Sequence, residues 1–125
     1  MSAINQGTPL MLPGHTAGAD LSSSQYKLVK ITGARTVGLC TATTDKPIGV
    51  LVNKPKSGEA AQVVVIGVTE CVAGETLTAG DKLTVNASAK AVNDAPGAAP
   101  LMWFGTVLDG GAVDELVTIL INCAF

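Results

Sequence analysis

The run Ala61–Ala73 constrains the fold most. Read with the two-residue period of a β-strand, one face carries Ala61, Val63, Val65, Gly67, Thr69 and Cys71, and the other Gln62, Val64, Ile66, Val68, Glu70 and Val72. Both faces are apolar at the centre. Leu101, Trp103 and Val107 against Met102, Phe104 and Leu108 repeat the pattern, as do Val117, Ile119 and Ile121 against Leu116 and Leu120. A half-exposed antiparallel strand alternates apolar-in with polar-out. Strands apolar on both sides need a second burial surface, and another copy of the chain is the economical source. The residues expected at such a subunit interface are Val64, Ile66, Val68, Trp103, Phe104, Leu116 and Leu120.

The rest of the chain from Tyr26 onward has the same character. Short runs rich in Val, Ile, Leu and Thr are cut at intervals of about 8–12 residues, the spacing of a small β-sandwich or barrel. The runs are Tyr26–Thr32, Thr36–Thr41, Ile48–Asn53, Ala61–Ala73, Lys82–Asn86, Lys90–Asn93, Leu101–Leu108 and Glu115–Cys123. The separators hold Gly for positive φ, Pro for a preset φ, and Asp or Asn for side-chain bonds back to the backbone. No helical period extends beyond two turns. The expected fold is all-β, a small β-barrel or sandwich domain over residues 25–125 carrying an extended N-terminal arm over residues 1–24.

The arm is read from proline. Pro9 and Pro13 bracket the apolar island Leu10-Met11-Leu12, and proline cannot donate to a central ladder. An extended arm outside any sheet is the expectation, with Pro9, Leu10, Met11, Leu12 and Pro13 as its docking segment.

Composition narrows the partners. Charged residues make up 14% of the chain and aromatics 3%, against about 25% charged in an average domain. A net charge of −2 with dispersed lysines offers no basic stripe to displace counterions from a phosphate backbone, and the aromatics are not interleaved with cations as single-strand binding requires. Nucleic acid is not an expected partner. No run of about 18 apolar residues suggests a membrane span, and the N-terminus lacks a signal peptide's basic start and apolar core, so folding in a cytoplasm is the expectation.

Strong chemical motifs are missing as well. His15 is the only histidine and lies on the arm, away from any orienting group of a nucleophilic triad. Cys40, Cys71 and Cys123 are odd in number and far apart, which fits neither a disulfide framework nor a metal knuckle and reads as three buried small side chains. Asp109, Asp114 and Glu115 lack calcium-loop spacing and read as turn residues around Gly110-Gly111. Asn86-Ala87-Ser88 reads as a polar hairpin tip, and Lys46, Lys54 and Lys56 as one basic patch on two proline loops. Gly74–Leu83 is faintly similar to a hairpin of lipoyl or biotin carriers, but Lys82 opens a strand and is not at a hairpin tip. No catalytic residue, cofactor or metal is expected, and no enzyme activity.

The order of small-residue turns carries a resemblance. Thr36-Val37-Gly38-Leu39, Pro47-Ile48-Gly49-Val50-Leu51, Ser57-Gly58-Glu59-Ala60-Ala61-Gln62-Val63, Val65-Ile66-Gly67-Val68-Thr69, Leu77-Thr78-Ala79-Gly80-Asp81-Lys82-Leu83 and Gly105-Thr106-Val107-Leu108 together resemble the capsid cement, or decoration, proteins of tailed phages over residues 20–122. That resemblance implies a homotrimer on the exterior of the virion head, at threefold and quasi-threefold positions, holding the phage major capsid protein and stabilising the expanded shell. The apolar ending Leu120–Phe125 departs from the commoner pattern. Two other classes fit less of the chain: a virion or tail-associated β module binding host-surface glycans, and a carrier-type domain.

Overall fold

The structure is a computed structural model that describes residues 8–94 and 103–123. These form one all-β sheet with no helix among the described residues. Its strands are β1 (Leu10–Met11), β2 (Thr16–Ala17), β3 (Leu28–Gly33), β4 (Thr36–Leu39), β5 (Gly49–Leu51), β6 (Val63–Val72), β7 (Lys82–Val85), β8 (Ala91–Asn93), β9 (Gly105–Asp109) and β10 (Leu116–Asn122). The order across the sheet is β2-β4-β3-β5-β6-β10-β9-β7-β8, with β1 laid on β6. Every apolar run from Tyr26 onward contains one of these strands. Leu101, Met102 and Phe125 lie outside the described residues.

The sheet is open, yet both of its ends curl back toward β6. On one side Thr16 bridges Ala60, just ahead of β6; on the other Ala91 bridges Ala73, just after it. Two cores result. The larger straddles β6: it holds Val64, Val65 and Cys71 with Phe104, Val107, Ile119 and Ile121 from one side and Leu28, Cys40 and Val50 from the other. The smaller holds Val63 with Ala17, Leu21, Val29, Val37 and Leu51. Leu12 and Leu39 pack against both.

This seam corrects the reading of Ala61–Ala73. The second burial surface for the first half of β6 is the chain's own second curl. Val64 is only 3% exposed and Phe104 1%, so neither is open to another copy: both sit inside the larger core. The residues of β10 behave differently, with Val117, Ile119 and Ile121 buried and Leu116 and Leu120 left outside.

The N-terminal segment is the second correction. Leu10 and Met11 pair antiparallel with Ile66 and Val64, and Thr16 and Ala17 pair in parallel with Thr36 and Val37. Leu12 N–H donates to Val63 O at 2.9 Å, Ala17 N–H to Glu59 O at 2.9 Å and Leu21 N–H to Pro55 O at 2.9 Å. Pro9 and Pro13 fall just outside these short pairings, where their missing N–H costs nothing. Residues 8–24 thus fold onto the domain, with Ala17, Leu21 and Ser24 buried.

Turn chemistry follows the sequence closely. Asn86 Oδ1 accepts from Ser88 N–H at 2.9 Å and from Lys90 N–H at 3.0 Å, which closes the β7–β8 hairpin. Asp81 caps Thr78 N–H at 2.9 Å, and Glu115 caps Ala112 N–H at 2.7 Å. Asp114 accepts from Lys90 Nζ at 2.6 Å. Asp114 and Glu115 are turn and hairpin residues, as their spacing suggested.

Candidate functional site

The feature that asks for a partner is the outer face of β9, β10 and β6. Directly opposed residues of antiparallel strands share a face, so the register defines its rows. Leu116 lies opposite Val72; Thr118 lies between Glu70 and Asp109; Leu120 lies between Val68 and Thr106. A bulge between Thr118 and Ile119 leaves Leu108 as an extra residue of β9, and bulges turn a side chain out of the regular alternation. Leu108, Leu116 and Leu120 are 46%, 45% and 47% exposed. Three leucines half in water on two adjacent strands, with one polar row between Leu116 and Leu120, make a partly apolar face, and exposed apolar surface of this kind marks interaction sites.

The face runs on into a shallow groove lined by Pro9, Met11, Tyr26, Val52, Val68 and Glu70. Tyr26 has φ of 67°, a left-handed conformation that costs a non-glycine residue about 1–2 kcal/mol. Two backbone bonds hold it there: Tyr26 N–H to Leu51 O at 2.6 Å and Val72 N–H to Tyr26 O at 2.9 Å. They place a half-buried aromatic ring at the groove between β5 and β6. Leu10, on the strand beside it, is exposed.

A second, different surface lies on the β3–β5 side. Lys30, Ile31, Lys46, Pro47 and Ile48 line a pocket there, with Ile31 exposed. Asp45 fixes its rim, accepting from Lys30 Nζ at 2.8 Å, Thr41 N–H at 2.8 Å and Ala42 N–H at 3.0 Å. The Lys30 bond, aided by the backbone donors, holds the Asp45 carboxyl below its ordinary range. The expected single basic patch is split. Lys46 and Lys54 stand at opposite ends of β5, and Lys56 sits near Asp20, whose carboxyl is held low chiefly by its bonds to Ser22.

Charge is divided along the same line. Residues 1–62 hold six Lys or Arg against three Asp or Glu, a balance of +3; residues 63–125 hold two against seven, a balance of −5. The boundary is the start of β6. This asymmetry was present in the sequence, but only the position of the seam gives it a direction in space.

The remaining candidate residues serve the fold. His15 Nδ1 lies 2.7 Å from Pro13 O, a local loop contact. Cys40, Cys71 and Cys123 are all buried, and burial pushes each thiol up to about 12. They remain neutral thiols, not nucleophiles, at physiological pH. Trp103 is 54% exposed, with its indole N–H donating to Asp94. Among the described residues no group of His, Cys, Asp and Glu is arranged to hold a metal.

Of the residues predicted for a subunit interface, the structure brings Val68, Leu116 and Leu120 onto one face, puts Ile66 half-buried on β6 opposite Leu10, and leaves Trp103 exposed ahead of β9. Of the arm residues, Pro9 and Met11 reach the groove, while Leu12 turns inward against both cores. Leu108 and Tyr26 were not anticipated. A bulge and a left-handed aromatic leave no mark in a hydrophobic pattern.

No protein-family profile matches the chain, and no curated protein matches it either. Among solved structures, the N base of head fiber gp8.5 in bacteriophage phi29 is similar with a TM-score of 0.67 and 21% identity, covering 92% of this chain and 93% of that one. The chain shares that structure's fold over nearly its whole length.

Proposed function

We propose that this chain is a non-enzymatic structural protein of a tailed-phage head. The observation that carries the reading is a fold shared, end to end, with the base of a phage head fiber. The outer face of β9, β10 and β6 supports it, since a protein whose work is attachment needs an apolar surface and no catalytic centre. In the finer form of the proposal, the chain is a homotrimeric cement protein on the head exterior that contacts the major capsid protein at threefold and quasi-threefold positions. A ligand that binds the expanded shell, and not its precursor or dissociated form, stabilises the shell by its binding free energy. Three copies on one trimer raise the effective concentration of each contact.

Purified protein mixed with undecorated expanded heads and with precursor heads tests this. Co-sedimentation with expanded heads and a higher melting temperature of those heads are expected. Equal binding to both forms, or to neither, sinks the cement reading. A second reading, attachment to host-surface glycans, draws on the exposed indole of Trp103 beside the Asp94 carboxylate. It requires glycan binding that Trp103→Ala abolishes.

A further inference from the structure

We propose that copies of this chain associate head to tail, with the outer face of β9, β10 and β6 on one copy covered by the β3–β5 side of the next, centred on Ile31 and Lys46. The proposal rests on the reading that the chain assembles with itself, and it names the two surfaces that meet.

Three observations converge. The face offers leucines 108, 116 and 120 interrupted by one acidic row, with Glu70 and Asp109 on either side of Thr118, and carries one cation, Lys82, at its β7 edge opposite Thr106. The pocket offers the reverse in net charge, apolar Ile31 and Ile48 beside Lys46 and a Lys30 already paired with Asp45. The two surfaces also belong to halves of opposite charge, −5 for residues 63–125 and +3 for residues 1–62. An isologous contact would stack the same patch on itself. With its two-fold axis at Thr118, that would press the Glu70 and Asp109 carboxylates of two copies together in the middle of an interface, where like charges are costly. A heterologous contact pairs acid with base and leucine with isoleucine, and it closes into a ring when its rotation allows. Complementary surfaces in two different places are what a cyclic assembly requires.

The test uses the whole chain and two charge-reversing variants. Glu70→Lys/Asp109→Lys alters the face, and Ile31→Glu/Lys46→Glu alters the pocket; all four side chains are exposed, on strand or loop positions. Light scattering on the unaltered protein is expected to show an oligomer, and each double variant a monomer with an unchanged circular dichroism spectrum. Mixing the two variants is expected to restore association as mixed dimers and even-numbered assemblies, because each then meets a complementary surface, while a closed trimer would keep one like-charged contact. A chain that carries all four changes is expected to assemble alone. Restoration also shows that neither variant had unfolded. An oligomer that survives either double variant in folded form overturns the head-to-tail contact while leaving self-assembly intact. Loss in the face variant alone, with the pocket variant unaffected, points to isologous pairing and overturns it as well. A monomeric unaltered protein overturns both this contact and the trimer beneath it.

Discussion

Close approach decides what single residues can be. Gly49 begins β5 against β6, where an added Cβ would lie 2.5 Å from Val63 Cγ1 and closer still to the Val64 carbonyl oxygen. A backbone oxygen within the ladder has no room to yield. Gly49→Ala is therefore expected to cost about 2–3 kcal/mol, the upper part of the range for overpacking, read as a lower urea midpoint at unchanged slope. The cysteines give a pH signature instead. Burial raises each thiol from 9.0 to about 12, so the native state favours the protonated form. The sign follows: this contribution is complete below about pH 9 and is lost as pH rises through about 12. At pH 8 an ordinary thiol of pKa 9 is about one-tenth thiolate, whereas one at 12 is about one part in ten thousand. Labelling of the native protein by a thiol reagent is expected to run at the rate of unfolding, far below that of the urea-unfolded chain. Rapid labelling of any one cysteine in the native protein contradicts its burial.

At the level of elements, legibility followed length. The eight runs after Tyr26 were readable because each is long enough to show a period and is bounded by Gly, Pro, Asn or Asp. β1 and β2 are two residues each, too short for any period, and the flanking prolines argued against strands. What places them is tertiary: Val63 O accepts from Leu12 N–H, Ala61 N–H donates to His15 O and Glu59 O accepts from Ala17 N–H. The apolar two-sidedness of β6 was equally visible, but whether its second face meets the same chain or another depends on the curl of the sheet, which no local pattern encodes. For β10 the same pattern has the other outcome, since Leu116 and Leu120 remain uncovered. The docked N-terminal segment yields a prediction opposite to that of a dispensable arm. Deleting residues 1–20 removes β1 and β2 together with Leu12, which packs against both cores, and Ala17 of the smaller one. Losing one Leu-sized burial and several backbone bonds is expected to destabilise the domain by about 3 kcal/mol or more, seen as a drop in urea midpoint. An unchanged midpoint would show that residues 8–20 do not belong to the cooperative unit.

For the whole molecule, the start of β6 divides the chain by charge. A charge of +3 on one half and −5 on the other makes each copy a dipole, and opposed dipoles steer encounter more than they tighten a finished contact. In the proposed head-to-tail contact, the three leucines of the face would act at short range and hold what steering has brought together. These contributions separate with ionic strength. The screening length falls from about 10 Å at 0.1 M salt to about 3 Å at 1 M, which removes long-range steering but leaves apolar burial intact. For head-to-tail association, the rate of assembly after dilution and reconcentration is expected to fall about tenfold or more over that range, within the span known for steered encounters. Dissociation is expected to change little, because breaking the contact means exposing leucine to water. Time-resolved light scattering at the two salt concentrations measures both rates. If salt instead speeds dissociation and leaves assembly unchanged, the charges act within the closed contact, and the division of labour between the two halves and the leucine face is wrong.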